Sequence, residues 1–77
     1  MSSLNVVAGA MRVTDHGGYY IIEFFDDKFV VRKESIECDL VKMLRRIPCH
    51  YVYAFLKILS LRVRINVDEI VKGIPCQ

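Results

Sequence analysis

The stretch YYIIEFFDDKFVVRK (residues 19–33) carries the clearest structural signal in the sequence. Its outer segments, 19–25 and 29–33, are rich in aromatic and β-branched side chains, which pack well on a pleated surface. The charged motif DDK at 26–28 separates them. Two such segments joined by a short polar loop predict a β-hairpin.

A further strand is predicted before this hairpin. Residues 5–13 are mostly apolar, with β-branched valines among them, and the motif DHGG at 15–18 follows. Glycine adopts positive φ without steric cost, so DHGG is typical of a turn. The three segments together predict an antiparallel β-meander at the N-terminus.

Two main helices are predicted after the meander. Ser35 can cap the first helix, and Pro48 ends it because the residue before a proline avoids the α region. The second helix, residues 49–60, is apolar nearly all round. Such a helix is buried on every side. The sheet can cover only one side, so the other side requires the first helix or a second chain.

The C-terminal residues predict one more strand and one more helix. Residues 61–67, LRVRINV, alternate strictly between apolar and polar side chains, which is typical of a half-solvated strand. Asn66 can cap a short helix with Glu69 as its capping-box partner, and Gly73 and Pro75 stop that helix. We therefore predict one α+β domain over residues 1–77. An antiparallel sheet of three or four strands packs on two main helices, with a short C-terminal helix added.

Length and composition bound the class of protein. The chain has 77 residues, of which 53% are hydrophobic, so a disordered chain is not expected. A domain of this size often needs a disulfide, a metal or a second subunit for stability. The longest uncharged apolar run, 47–56, is about half of the ~20 residues that span a bilayer. We expect a cytoplasmic protein without a signal peptide or a membrane partner.

The three cysteines offer little chemistry at the sequence level. Their number is odd and their spacing is irregular, so we expect buried free thiols, with a disulfide between two of them left open. Their spacing does not match a zinc site. Cys49 and His50 are neighbours whose side chains diverge by about 100° on a helix, which excludes a nucleophile–base pair. We expect no enzyme, no cofactor and no small-molecule substrate.

Asn and Gln are scarce in the sequence, which is typical of proteins from thermophiles. Small proteins of this kind are also common in viruses.

The charge is unevenly distributed along the chain. Residues 1–39 contain seven acidic and four basic side chains, whereas residues 40–66 contain six basic and no acidic ones. If the fold gathers these cations, they form a phosphate-binding surface. We therefore predict a nucleic-acid-binding, regulatory module. The residues proposed to contact backbone phosphates are Lys42, Arg45 and Arg46 on a helix, and Arg62 and Arg64 on a strand. The plainer interpretation is a solvated helix face and the wet side of a strand.

A protein-interaction module is the alternative. The second helix is apolar on both sides, and so small a domain cannot bury both of them within one chain. This favours a homodimer or a small inhibitor or adaptor of another protein. The predicted interface residues are Tyr51, Phe55, Ile58 and Leu59. Dimerisation and nucleic-acid binding are compatible, because a dimer would place two basic surfaces side by side.

Overall fold

The structure, a computed structural model, describes residues 3–76 and confirms the α+β class. A 3-10 turn, Lys33–Ser35, joins the sheet to the second helix. The helices and strands, in chain order, are α1 (Ser3–Ala10), β1 (Met11–Asp15), β2 (Tyr19–Phe24), β3 (Asp27–Arg32), α2 (Ile36–Leu44), α3 (Cys49–Leu59) and α4 (Val67–Lys72).

The sheet is the predicted antiparallel meander, in the order β1-β2-β3. Met11 pairs with Phe24 across β1 and β2, and Tyr20 pairs with Val31 across β2 and β3. Side chains alternate between the two faces of a strand. One face carries buried Ile22, Phe24 and Val31 against the helices, and we name the opposite face the open face.

The predicted strand over residues 5–13 is wrong in its first half. Residues up to Ala10 form α1, and the strand begins only at Met11. The small residues Ala8 and Ala10 suit a helix, and α1 packs against α3 with Val7 fully buried. Tertiary packing thus overrides the β-propensity of Val6 and Val7.

The predicted strand over residues 61–67 is also wrong. The chain leaves α3 through turns in which the amides of Arg62 and Val63 both donate to the carbonyl of Leu59. Within residues 3–76 the sheet has three strands, and no strand pairs with this segment. Val63 is buried and Leu61 is exposed, so the alternating pattern arises from a winding segment that touches the core at intervals.

The helix ends follow the predictions in part. Asn66 caps α4, because its side-chain oxygen accepts a hydrogen bond of 3.2 Å from the amide of Glu69. Ser35 precedes α2 as predicted, but its side chain makes no capping bond and the 3-10 turn leads into the helix instead.

The core is centred on α3, and α1 covers one of its sides. Phe55 is fully buried in α3 and lies edge-on to Phe24 of the sheet, with ring centroids 5.2 Å apart. The second side of α3 was expected to meet the helix that follows Ser35, now α2, or a second chain, but it meets the unpredicted α1 of the same chain. None of the helices within residues 3–76 combines the length and apolar character needed to cross a bilayer.

A disulfide corrects the prediction of free thiols. Cys49 at the start of α3 is bonded to Cys76, and their Cα atoms are 5.4 Å apart. Cys38 is the free cysteine and is exposed rather than buried. The bond holds the segment after α4, including buried Ile74, against the start of α3. A small domain thereby gains a covalent support.

Candidate phosphate-binding surface

Three predicted cations lie at the C-terminal end of α2, with Lys42 in its last turn, Arg45 as its C-cap and Arg46 in the turn that follows. Lys42, Arg45 and Arg46 have the i, i+3, i+4 spacing of neighbours on a helix. Arg45 closes the helix through a backbone bond to Val41, so the helical geometry extends to this point. All three side chains are exposed. We name these three residues the basic ridge.

A groove between α2 and β3 borders the basic ridge. It is formed because α2 folds back along β3, with Lys42 and Arg46 on one side and Val30 on the other. The guanidinium of Arg46 lies 5.8 Å from the ring centre of Phe29, a cation–π contact that orients the arginine. The groove has a volume of about 370 Å³ and is lined by Phe29, Val30, Arg32, Asp39, Lys42, Met43 and Arg46.

The acid in this groove is bound to an arginine outside the ridge. Asp39 accepts hydrogen bonds from the side chain and the backbone of Arg32. The arginine side chain holds the pKa of Asp39 down at about 2, and the bond from the backbone amide acts in the same direction. Asp39 is therefore ionised at neutral pH and neutralises Arg32.

The basic ridge is not neutralised by the ion pairs of the described chain. Within residues 3–76, these pairs join Arg32 to Asp39, Lys33 to Asp15 and Lys72 to Glu69. None includes a ridge residue. Glu37 and Glu69 line a shallow hollow together with Lys42 and Arg45 but form no ion pair with them, so the three ridge charges stay exposed to solvent and to a bound anion.

Arg62 and Arg64 lie apart from the basic ridge. Arg62 lines a cavity between α1, β1 and the end of α3. Arg64 lines a cleft at the N-terminal end of α2, together with acidic Glu34, Glu37 and Asp68. Helical rise alone separates the two ends of α2 by roughly 13 Å. The structure thus brings together three of the five predicted cations.

Two of the four predicted interface residues lie in the core. Phe55 and Leu59 are buried, so neither reaches a surface where a partner could touch it. Tyr51 and Ile58 are half-buried. The physical reason is α1, which supplies the cover that the sequence had left to a possible second chain.

The sequence missed the part of β3 that borders the groove. Phe29 and Arg32 were assigned only to the hairpin, yet they position Arg46 and Asp39. The available signal was the short connection from β3 to α2, which makes the two elements neighbours.

In comparisons with known proteins, no family model, curated protein or solved structure matches this chain. Function therefore has to be inferred from the geometry and charge of its own surfaces.

Proposed function

We propose that this protein is a small, non-enzymatic nucleic-acid-binding module that holds backbone phosphates on the basic ridge. The observation that carries the proposal is the grouping of exposed Lys42, Arg45 and Arg46 at the C-terminal end of α2, where no ion pair within residues 3–76 includes them. Arginine can hold a phosphate with two parallel hydrogen bonds, and lysine adds a mobile point charge. Contacts of this kind bind the backbone and do not read sequence.

The basic ridge has a second physical effect, on α2 itself. Cations near a helix C-terminus offset the partial negative charge of the last carbonyl groups. Ridge variants can therefore be less stable as well as weaker in phosphate binding. A thermal melt of each variant separates the two effects.

The test is fluorescence anisotropy with a short labelled DNA duplex over salt concentrations from about 50 to 200 mM. Three phosphate contacts predict a slope of log affinity against log salt of about −2.7. Arg45→Glu with Arg46→Glu should abolish measurable binding. The matched control is Arg62→Glu with Arg64→Glu, which changes the net charge equally but away from the basic ridge.

Two results would count against the proposal. If both double variants weaken binding equally, net charge rather than the ridge attracts the nucleic acid. If the ridge variant binds as tightly as the unmodified protein, the ridge is only a solvated helix face.

A second candidate function is self-association through the end of α3. Leu61 is 83% exposed and lies at a mostly apolar cavity of about 240 Å³, lined also by Ala8, Met11, Val13, Ile58 and the charged Arg62. In a symmetric dimer, a projecting leucine beside an apolar hollow can fill the hollow of the other copy, and the reverse contact follows by symmetry. Of the four predicted interface residues, Ile58 is the one that lines this cavity.

Sedimentation velocity tests this candidate. Leu61→Lys should convert a dimer to a monomer, whereas Tyr53→Lys, at another exposed position of α3, should leave the mass unchanged. A monomeric mass for the unmodified protein at high concentration would rule the dimer out.

A further inference from the structure

The open face of the sheet presents a central row of three β-branched side chains, one threonine and two aliphatic residues. Thr14, Ile21 and Val30 are directly opposite one another on the three strands, which places them side by side on this face. Val30 is 58% exposed, although it is a β-branched residue on a strand. The helices pack against the other face through Ile22, Phe24 and Val31, so the open face is left to solvent within the described chain.

A stacked aromatic pair extends one end of this face. The ring of Tyr19 lies parallel to that of His16, with an interplanar angle of 6° and centroids 5.2 Å apart. Both residues are exposed. The pair is held in place by the turn, in which the amide of His16 donates to the carbonyl of Tyr19. An exposed planar ring of this kind is a surface on which a nucleobase can stack.

Cations border the open face at its other end and along β3. Arg12 and Lys28 flank Glu23 in one cross-strand row, which leaves that row with a net positive charge. Arg32, opposite Tyr19, is neutralised by Asp39, but it also lines the groove that contains Lys42 and Arg46 and so joins the two surfaces. The open face is therefore continuous with the basic ridge.

We infer that the open face binds single-stranded nucleic acid, with a base stacked on Tyr19 and others lying against Val30. This inference rests on the proposed function and names its substrate class. The charge selects a polyanion, and the exposed Tyr19 ring with the apolar side chains of Ile21 and Val30 selects a polyanion with accessible planar bases. A duplex keeps its bases stacked inside, so it can use the basic ridge but gains nothing from Tyr19. Phosphates of the same strand reach Arg12, Lys28 and the ridge.

The experiment compares labelled oligothymidylate and oligouridylate of about 12 nucleotides with a duplex of equal length. Tyr19→Ala should weaken single-strand binding by about tenfold and leave duplex binding unchanged. Tyr19→Phe should retain the affinity, because it keeps the stacking ring. Tyr53→Ala is the matched control, since it removes an exposed tyrosine of α3.

Val30→Glu provides an independent test, because this exposed position can change without disturbing the core. Its carboxylate should repel the strand and lower single-strand affinity. The ratio of the oligouridylate and oligothymidylate affinities then assigns the ligand as RNA or DNA.

The possible failures are distinguishable. The inference is overturned if Tyr19→Ala and Val30→Glu both leave the affinity for single strands unchanged. If duplex binding still depends on the ridge in that case, the proposed function stands. No binding of any nucleic acid overturns both. A dimeric mass that Val30→Glu reduces to a monomer overturns the inference by assigning the open face to a second copy.

Discussion

Asp39 receives three hydrogen bonds from Arg32 and so fastens α2 to the end of β3. The guanidinium Nε and the backbone amide of Arg32 both donate to Oδ2 at 3.0 Å, and Nη2 donates to Oδ1 at 3.2 Å. Asp39 is largely shielded from solvent, whereas Arg32 is about half exposed. The pair sets the distance between β3 and α2, and hence the shape of the groove beside the basic ridge.

The first prediction concerns the dependence of stability on pH. The bonds from Arg32 lower the pKa of Asp39 from 3.8 to about 2 in the folded protein. A carboxyl group with a depressed folded pKa stabilises the fold above its unfolded pKa, and this contribution is lost as the pH falls through the folded pKa. The loss should therefore occur between about pH 4 and pH 2.

Asp39→Asn tests this prediction by urea denaturation at several pH values. At neutral pH the variant should be less stable by about 1 kcal/mol, a modest value because solvent screens the exposed arginine. Near pH 2 the difference should shrink, since the native carboxyl is then partly protonated. Asp26→Asn, in the exposed loop between β2 and β3, is the control. An equal deficit at both ends of the pH range would show that the ion pair is not responsible.

The second prediction concerns the disulfide between Cys49 and Cys76. The two residues are 27 positions apart, and closing a loop of that length stabilises a fold by about 3.5 kcal/mol in the chain-entropy description. Reduction should therefore lower the urea midpoint strongly. The measurement uses a Cys38→Ser background, which removes the exposed free thiol that could exchange. A midpoint that is the same with and without reductant would contradict the prediction.

The third prediction concerns the backbone of Phe25. This residue has a φ of 54°, in the left-handed region that disfavours side chains with a Cβ, and its amide donates to the carbonyl of Ala10. Its ring is 54% exposed and packs against Phe24 and Tyr51. Phe25→Ala and Phe25→Gly both remove this ring, but only the glycine also relieves the backbone strain.

Phe25→Gly should therefore be more stable than Phe25→Ala by about 1 kcal/mol in thermal or urea unfolding. Asp26→Gly and Asp26→Ala are the control pair, because the backbone φ of Asp26 is not positive. At that position glycine should be slightly less stable than alanine, owing to its greater freedom in the unfolded chain. The same order of stability at both positions would mean that Phe25 carries no backbone strain.

The sequence predicted the elements whose signals are local. The hairpin of β2 and β3 and the cap of α4 at Asn66 depend on neighbouring residues, and both are present. Residues 5–10 resemble a strand because their valines favour one locally, but packing against α3 makes them a helix. The disulfide depends on the distance between Cys49 and Cys76 in space, which spacing along the chain does not reveal.

The candidate site was predicted only in part for the same reason, because local spacing predicts neighbours on a helix but not contacts between distant segments. Helical spacing alone predicted that Lys42, Arg45 and Arg46 share a face. The placement of Arg62 and Arg64 depended on a strand that does not form, so these two residues lie apart from the ridge. The open face could not be predicted from the sequence, because it depends on the register of the three strands, which places Thr14, Ile21 and Val30 in one row.

The fourth prediction separates core from surface on α3. Phe55 is 0% exposed and packs edge-on against Phe24, whereas Tyr53 on the same helix is 57% exposed. Phe55→Ala leaves a cavity where a ring was fully buried, which typically costs about 3–5 kcal/mol. For a domain of this size such a loss is a large share of the total stability. Tyr53→Ala should change the free energy of unfolding by no more than about 0.5 kcal/mol.

Urea unfolding monitored by circular dichroism measures both variants, and sedimentation velocity records their mass. The expected result is a sharply lowered midpoint for Phe55→Ala at every protein concentration, because the Phe55 ring packs entirely within one chain. A midpoint deficit that appears only at high protein concentration would instead place Phe55 at an interface between copies. In that case α1 would have to leave α3 when the copies associate, since it is α1 that covers this side of the helix in the single chain.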